Sequence, residues 1–214
     1  MKACKCGRQL GLLAALLGFA LIGSAFAQDK PTGPFGFESG MSREQIIKLV
    51  GASAIRKLPV SITDPNYFAL SSAPIPNPAF ETYALTVSST QGLVKLSAIG
   101  FTLETGDTGA ELQTAFHGVV SAISRKYGEA KVYDTCSGNS TECDNSEFWM
   151  MSLKSKNREL IALWILKRPV NGVTAIEAMV NYTTMNSGYI DVQYEFTGFD
   201  QYNAAKKAKQ DASY

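Results

Sequence analysis

The chain has 214 residues, 45% of them hydrophobic and 18% charged, which is enough to bury the core of one sizeable domain or of two small repeats. The formal net charge is +1 at pH 7. This balance argues against nucleic acid as a partner, because proteins that bind phosphate backbones carry a basic excess.

The start of the chain, 1–27, has the features of a secretory signal peptide. Lys2, Lys5 and Arg8 give a positive start, an apolar run follows from Leu10 to Ile22, and Ala25-Phe26-Ala27 is a small-residue cleavage site. An uncleaved membrane anchor is the alternative, although the run is short beside the roughly 20 residues of a membrane span. Cleavage would remove three basic residues and leave a net charge of −2. We therefore expect an exported protein of the bacterial periplasm, without a membrane anchor after cleavage.

The most patterned stretch of the chain, "FGFESGMSREQIIKLVG", predicts a helix with defined ends. Ser42 and Gln45 form an S-x-x-Q capping box, and Gly51 can take the left-handed conformation that ends a helix. Phe35 and Phe37 precede the cap and are expected to pack under the helix. A phosphate-binding loop is the alternative, but its glycines would follow a strand, whereas these follow a polar linker.

A second helix is predicted in "GDTGAELQTAFHGVVSAISRKYG". Thr108 and Glu111 form a T-x-x-E capping box, and Gly128 ends the helix. The single histidine, His117, lies at the edge of the apolar stripe and is interpreted as a surface or boundary residue. The residues on the apolar face are Leu112, Phe116, Val119, Val120, Ile123 and Tyr127.

Strand-like segments follow each of the two helices at a similar spacing. The segment at 80–89 has its counterpart at 148–156, and the segment that starts at Gly92 has its counterpart at 159–168, so that the two offsets are nearly equal. Each half is thus read as a helix, an irregular segment and an antiparallel strand pair. The order and spacing of these elements predict an internal repeat.

The end of the chain predicts two more strands, because apolar and polar residues alternate over 173–184 and 188–196 with a turn at 185–188. Residues 160–166 are apolar on both faces, which favours a central strand. The expected fold is α+β: an antiparallel sheet with a few helices packed on one face, arranged as two tandem helix-plus-strand-meander repeats. The predicted organisation is a signal peptide (1–27), a linker (28–34), a first repeat (35–104), a second repeat packed with it as one globular unit (105–199) and a C-terminal tail (200–214) that frays.

The helix-entry segment "GMSREQIIKLVG", Gly40 to Gly51, resembles that of the SmpA/OmlA (BamE-like) family of exported lipoproteins. The tandem order of elements is similar to that of β-lactamase inhibitory protein. The specific match is confined to this segment, and the rest is agreement in element order. The resemblance implies an α+β fold and a non-catalytic protein that acts through its binding surfaces. This chain lacks the lipid-attachment cysteine of the assembly lipoproteins, so their outer-membrane role is not carried over, nor is any functional residue.

Two cysteines remain after the predicted cleavage site, Cys136 and Cys143. A pair of cysteines in an exported chain predicts a disulfide, which here would close the polar loop "CSGNSTEC". A redox or metal pair is the alternative, but the spacing is not C-x-x-C and no histidine lies nearby. Acidic residues surround this loop, which is read as a solvated loop, a calcium site or a contact loop for a partner: Asp134, Glu142, Asp144 and Glu147.

Aromatic residues are the other candidates for partner contacts. Trp149 and Trp164 fall on neighbouring predicted strands, and Tyr189 lies close to them in the order of elements. On an open sheet face they would form a protein-binding patch, because Trp and Tyr dominate binding hot spots. Packing in the core is the alternative. The candidate partner contacts are therefore Trp149, Trp164, Tyr189, Glu142 and Asp144.

The sequence offers little catalytic chemistry. One histidine excludes a two-histidine metal site, and no serine lies in a G-x-S-x-G elbow. We therefore expect a non-enzymatic protein without cofactor or metal that binds another protein, as an adaptor or inhibitor. A carrier of a small ligand or lipid, with a cavity between sheet and helices, is the alternative, and a hydrolase with a non-standard site is a further one.

Overall fold

The structure is a computed structural model that describes residues 33–57 and 64–212. The predicted signal peptide and most of the predicted linker lie outside the described residues. Within these ranges the chain is α+β, as expected from the sequence: nine strands form one antiparallel sheet, accompanied by five α-helices.

The bounds of the elements are as follows. The strands are β1 (Ile55–Arg56), β2 (Tyr67–Leu70), β3 (Phe80–Ser88), β4 (Gly92–Gly100), β5 (Leu103–Glu104), β6 (Lys131–Cys136), β7 (Arg158–Val170), β8 (Val173–Thr184) and β9 (Ser187–Phe196). The α-helices are α1 (Arg43–Val50), α2 (Ala110–Tyr127), α3 (Ser140–Asp144), α4 (Trp149–Lys154) and α5 (Phe199–Asp211). Short 3₁₀ turns span Pro34–Gly36, Ala52–Ala54 and Ser146–Phe148.

The sheet is built from two meanders joined at their inner strands. The strand order is β1-β2-β3-β4-β9-β8-β7-β6, and β5 adds a short pair with β9. Because β4 pairs with β9, the last strand of the chain lies in the middle of the sheet. All strand pairs are antiparallel.

One face of the sheet carries the core. Alternate residues of the inner strands are buried on this face, such as Leu96 on β4 and Val192 on β9, each fully covered. Helices α1, α2 and α4 contribute Ile46, Phe116 and Met150 to the same apolar cluster. The opposite face, called the open face below, presents the polar and half-buried residues that alternate with the core residues.

The opening motif, 35–51, forms the predicted helix with a capping box at its start. The Ser42 hydroxyl accepts from the Gln45 N–H, and the Gln45 side chain accepts from the Ser42 N–H at 2.8 Å. The segment before the cap is tied to the sheet, because the Gly40 N–H donates to the Leu93 carbonyl at 3.0 Å. Phe37 is fully buried. The glycines and the serine of this motif therefore start, anchor and end a helix.

The strand predictions are confirmed except for one. Segments 80–89, 159–168, 173–184 and 188–196 coincide with β3, β7, β8 and β9. The segment from Phe148, predicted as a strand, is instead a 3₁₀ turn followed by helix α4. Asn145 accepts a hydrogen bond from the Glu147 N–H and starts this helical run. This capping signal was overlooked because the apolar residues that follow it, 148–151, resemble a strand.

The capping prediction for the second helix is wrong. Its N-cap residue is Gly109, in a left-handed conformation, and no side-chain hydrogen bond caps the helix. The Glu111 carboxylate instead accepts from the Thr105 hydroxyl at 2.6 Å and from the Gly106 N–H, which holds the preceding loop. The predicted end at Gly128 is confirmed.

Two tandem repeats are not shown by the structure. The strands of both halves belong to one sheet, and the segment that should begin the second strand pair is helical. The tail, which was expected to begin as a helix and then fray, is helical up to Asp211 at the end of α5. Asp64 ties this helix to the body by accepting from Tyr202 at 3.3 Å and Lys206 at 3.2 Å. In the described ranges, no helix is both long and apolar enough to cross a membrane.

The predicted disulfide between Cys136 and Cys143 is confirmed, with Cα atoms 5.7 Å apart. Its loop is also held by hydrogen bonds to β7. Arg158 donates to the Cys143 carbonyl at 2.8 Å and to the Asp134 carboxylate at 2.7 Å. Asn157 donates to Glu142 at 2.8 Å. The acidic residues of this region thus include two that bind the protein's own side chains. A disulfide-bonded pair is compatible with an exported protein.

Candidate ligand cavity beside helix α2

A mainly apolar cavity lies between α2 and the core face of the sheet. Its volume is about 610 Å³. Pockets that bind small organic molecules typically measure about 300–1,000 Å³, so this cavity has the size of a drug-like or acyl-chain ligand. Its walls come from α2, from the N-terminal turn, from the loop before β3 and from the segment between β4 and β5.

The helix wall has space because its residues are small. Ala115, Gly118 and Ala122 recur at three- and four-residue spacing and therefore lie on one side of α2. A Cβ added at Gly118 would meet no atom within 4 Å. An internal helical glycine costs about 1 kcal/mol relative to alanine. Gly118 is exposed, so the open space at this position is continuous with solvent at the rim of the cavity.

Aromatic rings form the opposite wall. Phe35 makes edge contacts with Phe80, Tyr83 and Tyr194, with ring centroids 5.1–5.9 Å apart. The Phe35 backbone is held at φ +54°, a conformation that non-glycine residues rarely adopt. The N-terminal turn thus places this ring against the sheet and fixes one side of the cavity.

Two tyrosines give the cavity its polar character. Tyr127 at the end of α2 and Tyr194 on β9 both line it, and their ring centroids are 6.2 Å apart. The Tyr127 hydroxyl is buried, with no hydrogen-bond partner among the described residues. Burial raises the pKa of Tyr127 to about 12, and burial together with the nearby Tyr127 also raises the pKa of Tyr194. Both phenols are therefore neutral at physiological pH and can donate hydrogen bonds.

The mouth of the cavity combines an apolar ring with a cation. Phe101 lines the cavity and is 50% exposed, an unusual position for a large aromatic residue. Lys126 also lines it, with its ammonium 5.2 Å from the centroid of the Tyr127 ring. Desolvation lowers the pKa of Lys126. The cavity thus has an apolar body, buried phenols and a basic group at its edge.

A second cleft of about 680 Å³ lies between α5 and the turn after β3. Polar side chains line most of it, including Asp64, Asn66, Gln91 and Lys206. It is more polar than the cavity beside α2, and its Asp64 already binds Lys206 and Tyr202. We therefore regard the cavity beside α2 as the better ligand site.

The cavity has few titratable groups in its lining. Its titratable lining residues are Lys126, Tyr127 and Tyr194, which include neither a carboxylate nor a histidine. His117 is exposed on α2 and contacts the Phe116 ring. In residues 33–57 and 64–212, no group of three or more His, Cys, Asp or Glu side chains could hold a metal ion.

The structure places the two tryptophans in the core, which was the alternative to partner binding. Trp149 is 4% exposed and lies on α4, so the prediction that it lies on a strand is wrong. Trp164 is 2% exposed on β7, and its indole N–H donates to the Gly128 carbonyl at 2.9 Å. Neither ring is accessible to a partner in this conformation, so the proposed aromatic patch lacks its two largest members.

The other candidate contacts lie in different settings. Asp144 is exposed, Glu142 is half-buried and bound to Asn157, and Tyr189 is half-buried on β9. Burial raises the pKa of Tyr189, and the nearby Asp191 carboxylate raises this pKa to a smaller extent. For these three residues, a role in binding a partner stays a prediction.

The cavity residues were missed because they come from five segments of the chain, of which β9 is one. The signal in the sequence was the row Ala115, Gly118 and Ala122 within an otherwise apolar helix. Small residues beside an apolar stripe indicate close packing or open space, and only the positions of Phe35 and Tyr194 show that the space is open.

Comparison with known proteins does not identify a family: the chain matches no protein-family model, no curated protein and no solved structure.

Proposed function

We propose that the protein binds a small amphipathic ligand in the cavity beside α2, as an exported carrier or ligand-binding protein. The observation that carries the proposal is the buried Tyr127 hydroxyl, which has no partner among the described residues although it lines an apolar cavity. A buried donor without a partner costs about 1–3 kcal/mol. The hydroxyl oxygen has almost no accessible surface in the free protein, so a ligand oxygen that accepts from it would remove that cost only after a small shift of the side chains that cover it.

The lining defines the class of ligand. The small residues of α2 and the aromatic wall fit an apolar chain or ring, and the neutral phenols fit a hydrogen-bond acceptor. Lys126 at the mouth adds attraction for a negative group. The expected ligand therefore has an apolar body and one acceptor head, such as a carboxylate or a hydroxyl.

Binding can be tested by displacement of the fluorescent probe N-phenylnaphthylamine from the purified protein. Dodecanoate and dodecanol should displace the probe, whereas dodecylammonium, which has donors but no acceptor, should displace it at least tenfold less well. Gly118→Trp should fill the cavity and abolish probe binding. Ser121→Trp is the matched control, because Ser121 is exposed on the same helix and does not line the cavity.

Probe binding that is unchanged in Gly118→Trp would remove the cavity as the site. Native mass spectrometry of protein purified from its own host gives an independent test, because a bound ligand should appear as an added mass that Gly118→Trp lacks.

Protein binding is the second candidate function, and one observation favours it. Ile165 on β7 is 78% exposed on the open face, where Leu163 and Ala175 line a shallow depression with it. Contiguous exposed apolar patches, rather than single residues, mark protein contact sites, and these three residues adjoin one another. Ile165→Ser should weaken capture of a crosslinked partner in the host. Crosslinking that is equal in wild type and Ile165→Ser would count against this surface.

A further inference from the structure

The two edge strands of the sheet differ in how many backbone N–H and carbonyl groups they leave without a strand partner. At one end β1 is only two residues long. At the other end β6 has six residues and pairs with β7 in a continuous register. In the part of the chain that the structure describes, no strand pairs with the outer side of β6. The molecule therefore has one long open edge, at β6.

The register shows which backbone groups point outward. The Ser137 N–H donates to the Asn157 carbonyl at 2.7 Å, directly after the pair formed by Cys136 and Arg158. In an antiparallel ladder, hydrogen-bonded and non-hydrogen-bonded pairs alternate. Tyr133 and Thr135 therefore direct their backbone groups to β7. Val132 and Asp134 direct theirs away from the sheet.

This edge carries few of the devices that protect open strands. Natural edges are blunted by proline, by bulges or by charged side chains, above all lysine. β6 has one lysine, Lys131, at its first position. β6 has no proline, and its register with β7 shows no shift. The Asp134 charge is compensated by Arg158 at 2.7 Å. Val132 and Tyr133 are 45% and 41% exposed, so the middle of the edge is apolar.

We propose that β6 pairs antiparallel with β6 of a second copy of this chain, across a twofold axis at Tyr133. This register places Val132 opposite Asp134 of the second copy, so that their outward N–H and carbonyl groups form four hydrogen bonds across the axis. It places Lys131 opposite Thr135 of the second copy, without a like-charge pair. An axis at Asp134 would instead oppose two carboxylates, which is unfavourable.

The side chains at the axis support the same register. The two Tyr133 residues form a non-hydrogen-bonded pair, in which cross-strand side chains approach most closely. Aromatic pairs at such positions stabilise antiparallel strands. The strand is thus complementary to itself in hydrogen bonding, and this register avoids like-charge pairs. This self-complementarity favours a second copy over an unrelated extended segment as the occupant.

The resulting dimer would be weak, because a single strand pair buries little area compared with stable interfaces. Each copy would retain its own cavity, since β6 does not line it. Dimerisation is therefore independent of the proposed ligand binding.

Cysteine crosslinking tests the register directly. Tyr133→Cys places two thiols opposite each other at the axis and should give a covalent dimer on mild oxidation. Thr135→Cys is the matched control, because its neighbour across the axis is Lys131, and it should stay monomeric. Peptide mapping should show that the bond between Cys136 and Cys143 remains intact. Equal crosslinking of both variants, or none, would overturn the proposal.

Sedimentation of the unmodified protein gives a second test. We expect a monomer–dimer equilibrium that shifts with concentration and is lost in Val132→Pro. Proline removes an outward N–H at this position without removing a hydrogen bond to β7. A protein that is monomeric at all concentrations, or a dimer that persists in a folded Val132→Pro variant, would refute the β6 interface.

Discussion

Removal of the Tyr127 hydroxyl should stabilise the free protein. In Tyr127→Phe the ring keeps its contacts with Tyr194 and Lys126, at 6.2 Å and 5.2 Å. Only the buried oxygen is lost, and this oxygen has no partner among the described residues. Substitutions of buried tyrosines usually destabilise, so the expected sign is itself a test of the cavity.

The magnitude follows from the desolvation of the hydroxyl. A buried polar group without a partner costs about 1–3 kcal/mol, so the free energy of unfolding should rise by about 1.5 kcal/mol. For a domain of this size, 1 kcal/mol corresponds to about 2–4 °C in Tm, which gives an increase of about 3–6 °C. Binding of dodecanoate should weaken about three- to tenfold, the value of one lost hydrogen bond.

The assay is urea denaturation together with probe displacement, with Tyr83→Phe as the matched control. Tyr83 is also buried, but its hydroxyl accepts from the Asn77 N–H at 3.1 Å. Tyr83→Phe should therefore lose about 0.5–1.5 kcal/mol, the opposite sign. If Tyr127→Phe were destabilised as much as the control, the Tyr127 hydroxyl would have a structural partner and the reasoning would be wrong.

Three further predictions concern stability. Replacing Cys136 and Cys143 by serine should lower the free energy of unfolding by about 2.5 kcal/mol, the chain-entropy value for so short a loop, and urea titration of the oxidised wild type provides the comparison. Burial raises the pKa of the Asp191 carboxyl, so the folded state holds this proton more tightly than the unfolded chain, and stability falls as pH rises above about 4. Asp191→Asn should therefore exceed wild type in stability at pH 7 but not at pH 3, and equal gains at both would contradict the burial effect. Gly109→Ala should destabilise by about 2–4 kcal/mol in thermal unfolding, because Gly109 has φ +64° and a Cβ there would overlap a buried tryptophan ring of α4, whereas Gly118→Ala should be neutral or stabilising.

The strands could be predicted because their burial alternates with a period of two. On β9, Ile190, Val192, Tyr194 and Phe196 are all buried, and the residues between them are not. The capping box of α1 could likewise be predicted, because its hydrogen bonds join residues three apart. Such local signals survive in one sequence without knowledge of the tertiary structure.

The features that failed either have ambiguous local signals or depend on distant parts of the chain. Residues 149–154 are mostly apolar, so neither a helical nor a strand period stands out, and a short buried helix cannot be told from a strand. The Thr108 cap failed because Glu111 found a partner in Thr105 on the preceding loop. The cavity requires Phe35 and Tyr194 to lie beside α2. These residues are far from α2 in the chain, so no local sequence pattern predicts that they meet.

The pairing of β4 with β9 has a consequence for the order in which the protein folds. The two strands are far apart in the chain, and contacts of this kind slow folding because a long loop must close first. β9 also supplies Ile190 and Tyr194 to the floor of the cavity. A chain without its last strand thus has two separate meanders and lacks the floor of the cavity. On the proposal of ligand binding, a ligand present during folding acts only on the final step, by trapping β9 after it has entered the sheet.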